Sequence, residues 1–247
     1  MIDARRLEEL SLNSSAPPGQ LLYDGWLLRL APGKAKRARS VNAVYASRLP
    51  LAAKIAHCER VYGQAGLPAL FRITPFSEPA GLEEQLALRD YGRFDETLVA
   101  TRPIDSRGLP RGAAQPLELP EWVAAVAQLR ASSDAHRAAH LARLQAIPLP
   151  VRGVAVRAAG RIVATGLAVV EDEWAGFFDV ITHPEERGKG HAREVMASLL
   201  RLAADLGAGV AYLQVQADNE PALRLYRELG FEERSRSWSR ARPGERQ

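Results

Sequence analysis

The chain has 247 residues, 47% hydrophobic and 25% charged, with 19 Gly and 16 Pro, a globular composition that excludes collagen-like, low-complexity and largely disordered classes. At about 150 residues per domain this length suits one long domain or two short ones. No run approaches the ~18 uninterrupted apolar residues of a membrane span, the opening MIDARRLEELSLNSS lacks an export signal, and the single Cys58 cannot form an intramolecular disulfide. A cytoplasmic chain with no membrane partner is therefore expected. The formal charge of +4 comes from arginine, since lysine stands only at Lys34, Lys36, Lys54 and Lys189. The basic runs Gly33–Arg39 and ERSRSWSRARPGER read as a solvated hairpin turn and a ragged tail; without a recognisable motif no nucleic-acid partner is expected.

In chain order, DGWLLRL reads as a strand, with Trp26 and Arg29 either buried or presented to a ligand. SVNAVYA (Ser40–Ala46) is a second strand, and a helix starts near Leu51, with His57 and Cys58 in its middle and Cys58 as core packing. The stretch PIDSRGLPRGAAQP breaks all periodicity and predicts a connection over 104–117, between domains at 1–103 and 118–247. After it, Trp122, Val126 and Leu129 recur on one helical face, and a second helix runs from the cap candidate Asp134 to about Ala146. Strands follow at Val151–Ala158, Arg161–Val170 and Trp174–Thr182, joined by short turns. Apolar residues at three- and four-residue intervals make an amphipathic helix up to Leu206, which Gly207 stops. A buried strand over Val210–Gln216 leads to a helix capped by Asp218 or Asn219 and ended by Leu229-Gly230-Phe231; weak alternating segments finish the chain. Helix, glycine and strand recur between the halves, with Gly66 and Gly207 141 positions apart and Gly92 and Gly230 138 apart, which argues for a structural duplication.

The most informative stretch is FFDVITHPEERGKGHAREVMASLL (Phe177–Leu200), a strand and short turn followed by Arg187-Gly188-Lys189-Gly190-His191-Ala192 at the head of a helix. A helix N-terminus offers unpaired N–H groups and a positive dipole end, and two glycines let the backbone close around a diphosphate. The run is not a P-loop, because Gly190 follows Lys189, and not a dinucleotide fingerprint, because Arg193 replaces the third glycine.

These residues resemble the GNAT superfamily of N-acetyltransferases. Its (Arg or Gln)-x-x-Gly-x-(Gly or Ala) hallmark is matched by Arg187, Gly190 and Ala192, and its Asn-then-Tyr helix ending in Leu-Gly-Phe by Asn219, Tyr226 and Leu229-Gly230-Phe231. The resemblance covers roughly 118–242. It implies an α/β fold with a mixed sheet in the second half, and the whole chain looks like the tandem subgroup, with a smaller, degenerate first half. It further implies acetyl-CoA as cosubstrate without a metal. The exposed backbone of Val180, Ile181 and Thr182, on a strand that splays from its neighbour, would take the pantetheine arm, and Gly188 to Arg193 the diphosphate. Asn219 matches the position that contacts the cofactor or fixes the helix start, and Tyr226 the proton donor to the departing thiolate. Seven residues turn a helix by about 700°, so Asn219 and Tyr226 share a face.

An alkyl amine of pKa near 10.4 is neutral in only about one molecule in 2,500 at pH 7, a deficit of about 4.6 kcal/mol. Where some relatives carry a strand Glu, Gln214 stands here; Asp179 is the next base candidate, with Glu173 or a water chain behind it. His136 and His140, at i and i+4, read as a solvated helix face more than as metal ligands, or as residues that touch the acceptor, because in the family this helix pair borders the acceptor pocket. His191 is placed to meet phosphate and His183 reads as a turn residue. The first half has no counterpart of RGKGHA, so one acetyl-CoA per chain is expected, with that half supplying scaffold, pocket walls or a homodimer surface. The expected activity is acetylation of an amine, either a small molecule or a protein N-terminus or lysine. The alternative is a non-catalytic acyl-CoA-binding or interaction module.

Overall fold

The computed structural model describes residues 3–31 and 35–245. Its elements are α1 (Ala4–Asn13), β1 (Gln20–Tyr23), β2 (Trp26–Arg29), β3 (Ser40–Asn42), α2 (Leu51–Gln64), β4 (Leu70–Ile73), α3 (Leu82–Ala87), β5 (Gly92–Pro103), β6 (Gln115–Leu117), α4 (Leu119–Leu129), α5 (Asp134–Gln145), β7 (Val151–Ala158), β8 (Arg161–Glu171), β9 (Trp174–Thr182), α6 (His191–Asp205), β10 (Val210–Gln216), α7 (Glu220–Glu228) and β11 (Glu232–Ala241). They form two compact units. The first takes the described residues up to Val99, with Val215–Glu220 and the chain from Arg234; the second takes Ala100–Gln214 and Pro221–Glu233. The chain thus leaves the first unit inside β5, ahead of the connection expected at 104–117, whose last residues form β6.

The first unit orders its strands β1-β2-β3-β4-β11. β3 and β4 are parallel with α2 between them, and β4 pairs antiparallel with β11. The core gathers Trp26, Leu28, Val41, Ile55, Cys58, Tyr62, Phe71, Leu86 and Tyr91. Trp26 and Arg29 are both buried, so neither is presented to a ligand; the Arg29 guanidinium is held by the Leu12 and Ser15 carbonyls. Lys54, fully buried, is compensated by the Asp24 carboxylate at 3.0 Å and the Trp26 ring at 4.2 Å. Two expectations are corrected here. Residues Lys36–Arg39 of the first basic run form a 3-10 helix instead of a solvated turn, while Gly33 and Lys34 lie outside the described residues. The second run is no ragged tail. It forms β11, where Ser237, Ser239 and Ala241 point inward and Arg240 binds Glu83 at 2.8 Å.

The second unit orders its strands β10-β9-β8-β7-β6, antiparallel except for the β9–β10 pair that α6 connects. Glycines admit large side chains on both faces. A Cβ on Gly153 would lie 2.4 Å from the Trp122 ring of α4, and one on Gly166 the same distance from Val195 of α6. Gly153 pairs with Leu167, the neighbour of Gly166, so these glycines face opposite ways. α4 and α5 therefore cover one face, through Trp122, Val123, Val126 and Leu144, and α6 covers the other. Ser133, one residue before the expected Asp134, caps α5 by accepting the His136 N–H. Among the described residues no helix is long and apolar enough to cross a membrane.

Candidate active site

The site begins where β9 leaves β10. Their parallel register runs from Val210↔Trp174 to Leu213↔Phe177, whereas β9 itself continues to Thr182. Along the other edge of β9, Leu167 pairs with Phe178 and Thr165 with Ile181, so Asp179 and Val180 together oppose Gly166. This is a β-bulge, and Asp179 adopts φ +49 within it. In a regular strand Phe178 and Asp179 would face opposite ways. The bulge re-aims Asp179 so that it reaches α4 and α5, the face on which Phe178 and Ile181 already pack.

Arg130 Nη2, at the C-terminal end of α4, donates to Asp179 Oδ1 at 2.6 Å, and His140 Nε2 lies 3.4 Å from Oδ2. The Thr165 hydroxyl donates to the Asp179 carbonyl at 3.3 Å, which fixes the backbone of the bulge. Burial alone would raise the Asp179 carboxyl; the adjacent His140 ring and the charges of Arg130, His140 and Arg143 outweigh it and bring the group down to about 2. A carboxyl held this low is a weak proton acceptor, which speaks against Asp179 as the general base. A proton moved from an ammonium near 10.4 to a carboxyl near 2 climbs about 11 kcal/mol. Glu173 lies six residues before Asp179, roughly 20 Å along the strand, and does not reach this place. His140 is no solvated residue either: its ring packs edge-on against Trp122 at 5.8 Å. His136 keeps its Nδ1 at 3.0 Å from Ser133 Oγ, and no group of His, Cys, Asp and Glu among the described residues could hold a metal ion.

Past β9, His183 ties its N–H to Val163 at 2.8 Å and Pro184–Glu186 make one 3-10 turn. Gly188 and Gly190 follow with φ +77 and +86, conformations that L side chains rarely adopt. A Cβ on either would enter open space. The N–H groups of Gly188, Lys189, Gly190, His191 and Ala192 find no acceptor among the described residues; Arg193 N–H bonds back to Gly190 at 2.9 Å. Five consecutive unpaired donors at the head of the 15-residue α6 are a set that could take an anion. Around it, Glu186 collects Lys189 at 3.0 Å, Arg161 at 3.1 Å and His191 at 3.3 Å, and these hydrogen bonds hold its carboxyl at about 2. Arg193 pairs with Glu228, and Arg187 is exposed.

Tyr226 comes to β9 through a chain of rings. It meets Phe231 edge-on at 5.9 Å, and Phe231 meets Phe177, the last β9 residue paired with β10, at 6.5 Å. The fold-back after Gly230, where Phe231 N–H bonds to the Tyr226 carbonyl at 2.9 Å, sets this arrangement. The phenol makes no hydrogen bond with a described residue, and burial pushes it up to about 12. Asn219 stands one residue before α7 in the first unit, its N–H on the Gln216 carbonyl at 3.1 Å. No local pattern in the sequence pointed to Arg130 or to the bulge. Arg143 was legible only as the next member, at i+7, of the helix face that carries His136 and His140.

The chain is 29% identical to the uncharacterized N-acetyltransferase YobR of Bacillus subtilis, across 240 residues that cover 94% of this chain and 95% of that protein. Its fold is that of the GCN5-related N-acetyltransferase from Kribbella flavida (TM-score 0.74, 18% identity, 99% and 97% of the two chains). A tandem GNAT protein from the clavulanic acid biosynthesis pathway shares the fold at TM-score 0.61 and 18% identity, over 93% and 86%. Residues 120–231, which contain the bulge, the glycine turn and Tyr226, match the acetyltransferase (GNAT) family.

Proposed function

We propose that the second unit moves an acetyl group from acetyl-CoA to a primary amine by direct attack. One juxtaposition supports this most: the β9–β10 ladder stops at Phe177, two residues before a bulge, and Tyr226 stands one ring away. The residues present fit the cosubstrate. Open space above Gly188 and Gly190, with five unpaired N–H groups around them, suits a diphosphate, and the unpaired edge of Val180, Ile181 and Thr182 suits an amide-bearing arm.

Acetyl-CoA supplies an activated acyl thioester; the rest falls to the chain. N–H groups of Val180 to Thr182 polarise the acyl oxygen and hold the thioester in line. Tyr226, protonated at neutral pH because its phenol stands near 12, donates to the sulfur as it departs and acts as general acid. Asp179 accepts no proton in this reading. It is a positioning residue, anchored by Arg130 and His140, that keeps the bulge formed; the ammonium loses one proton to solvent before attack, the C–N bond forms as the C–S bond breaks, and the proton then shed by the new amide nitrogen restores the Tyr226 phenol. A cytoplasmic setting suits the buried thiol of Cys58, which burial raises to about 12 and so leaves unreactive.

The first unit reads as a degenerate copy. Its β3-α2-β4 arrangement repeats the parallel β9-α6-β10 arrangement, yet α2 starts at Pro50 with no glycine turn before it, so one acetyl-CoA binds per chain. Calorimetry with acetyl-CoA, followed by thiol release with a panel of amines, tests the whole reading. One site per chain with turnover supports it; one site without consumption of any amine would make the protein a non-catalytic acyl-CoA-binding module, and two sites would refute the degenerate copy.

A further inference from the structure

The acceptor side of β9 carries more positive charge than its own carboxylate balances. Asp179 is the anion there, and Arg130 already occupies it at 2.6 Å. Arg143 is a second guanidinium near the same carboxylate. It lies on α5 at the i+3 position from His140, so the two share a helix face, and it senses both the attraction of Asp179 and the repulsion of Arg130. Its side chain is half-buried, yet it makes no hydrogen bond and no ion pair with any described residue. Burial lowers its pKa, the direction expected of a cation that has lost water and gained no bonded partner. A guanidinium holds five N–H donors in a plane that matches a carboxylate, and a partly desolvated one gains from such a partner.

We propose that Arg143 binds a carboxylate of the acceptor, so that the substrate is a small amine bearing a carboxylate, of the free amino acid class. The inference rests on the acetyl-transfer reading and narrows it. Arg130 already bonds Asp179, which leaves Arg143 as the guanidinium of this cluster with no bonded partner among the described residues. A polypeptide N-terminus has an amide where this site demands an acid, and a simple alkylamine leaves Arg143 without a bonded partner. The amine then enters from the α4–α5 face towards Val180, next to the bulge that Asp179 holds.

Thiol release is measured with amino acids, the matching amino acid amides and the matching aminophosphonates, on the wild type, Arg143→Gln and Arg143→Lys. Acids are expected to exceed amides in kcat/KM by about 10- to 100-fold, the range of a charge-assisted hydrogen-bond pair. Arg143→Gln is expected to raise KM for acids by a similar factor, with kcat changed far less and amide kinetics unchanged. Arg143→Lys, which keeps the charge and loses the fork, should recover part of the loss, and it carries the test should the Gln variant fail to fold. Equal use of acids and amides by the wild type, a preference for phosphonates, or equal damage to acids and amides in Arg143→Gln overturns the proposal. A second readout separates it from the reading beneath it: the Tm of CoA-loaded protein with N-acetyl amino acids or with their amides. A rise with the acids alone, abolished in Arg143→Gln, upholds the carboxylate site even if no amine is acetylated; no rise with either, together with no turnover, sinks both.

Discussion

Replacing Asp179 by Asn tests the electrostatics of the bulge with little disturbance of shape. Asn tolerates positive φ nearly as well as Asp, so φ +49 adds no backbone penalty, and its amide oxygen still accepts from Arg130. What disappears is the charge. The Asp179 carboxyl falls from 3.8 to about 2 on folding, a shift that corresponds to about 2.5 kcal/mol of stability at neutral pH. Because the folded state lowers the pKa, this contribution is complete well above pH 4 and is lost as pH falls towards 2. At pH 3 about half should remain. Urea unfolding of wild type and Asp179→Asn at pH 7, 5, 4 and 3 gives the difference directly. Expected is a gap of about 2.5 kcal/mol at pH 7 and 5 that narrows to about half at pH 3. A gap that stays constant with pH, or an Asn variant as stable as the wild type at pH 7, would refute the claim that Arg130 and His140 hold a charged carboxylate there.

The site supports three further predictions. Tyr226→Phe should lower kcat by about 100-fold, the lower end for a lost general acid, with acetyl-CoA affinity by calorimetry within a factor of two or so; lost affinity with intact turnover would contradict the assigned role. Gly190→Val forces a β-branched residue into φ +86 and fills open space above the N–H groups. It should abolish acetyl-CoA binding while stability falls by only about 1–3 kcal/mol, and calorimetry that finds wild-type affinity refutes the cradle. With solvent as the proton acceptor, log kcat/KM should rise with unit slope up to the pKa of the acceptor amine, and the limb should move when acceptors of lower pKa are used. A fixed inflection common to all acceptors would reveal an enzymic base.

What the sequence disclosed and what it concealed divide by the distance over which the cause acts. The glycine turn was legible because its chemistry is made by consecutive backbone groups: Gly188 and Gly190 set the conformation, and the N–H groups that follow are donors whatever the rest of the chain does. The helices and hairpin strands of the second unit were legible for the same local reason, since periodic apolar residues and turn residues lie within one element. β11 was only weakly legible because its inward residues are Ser237 and Ser239, so the alternation is Ser against Arg with little apolar signal, and pairing with β4 makes a strand of it. The bulge was hidden more deeply. Nothing in FFDVIT marks Asp179 for positive φ; the pull comes from Arg130 and His140, which lie 49 and 39 positions earlier, and from Thr165 on the adjoining strand. Its proton affinity was hidden with it. An aspartate on a strand before an anion cradle is a plausible base until its partners are known, and those partners turn it into a fixed charge. The proposal for Arg143 follows from that reversal: with Arg130 bonded to Asp179, the second guanidinium makes no bond with a described residue, and a carboxylate on the acceptor is the anion that would suit it.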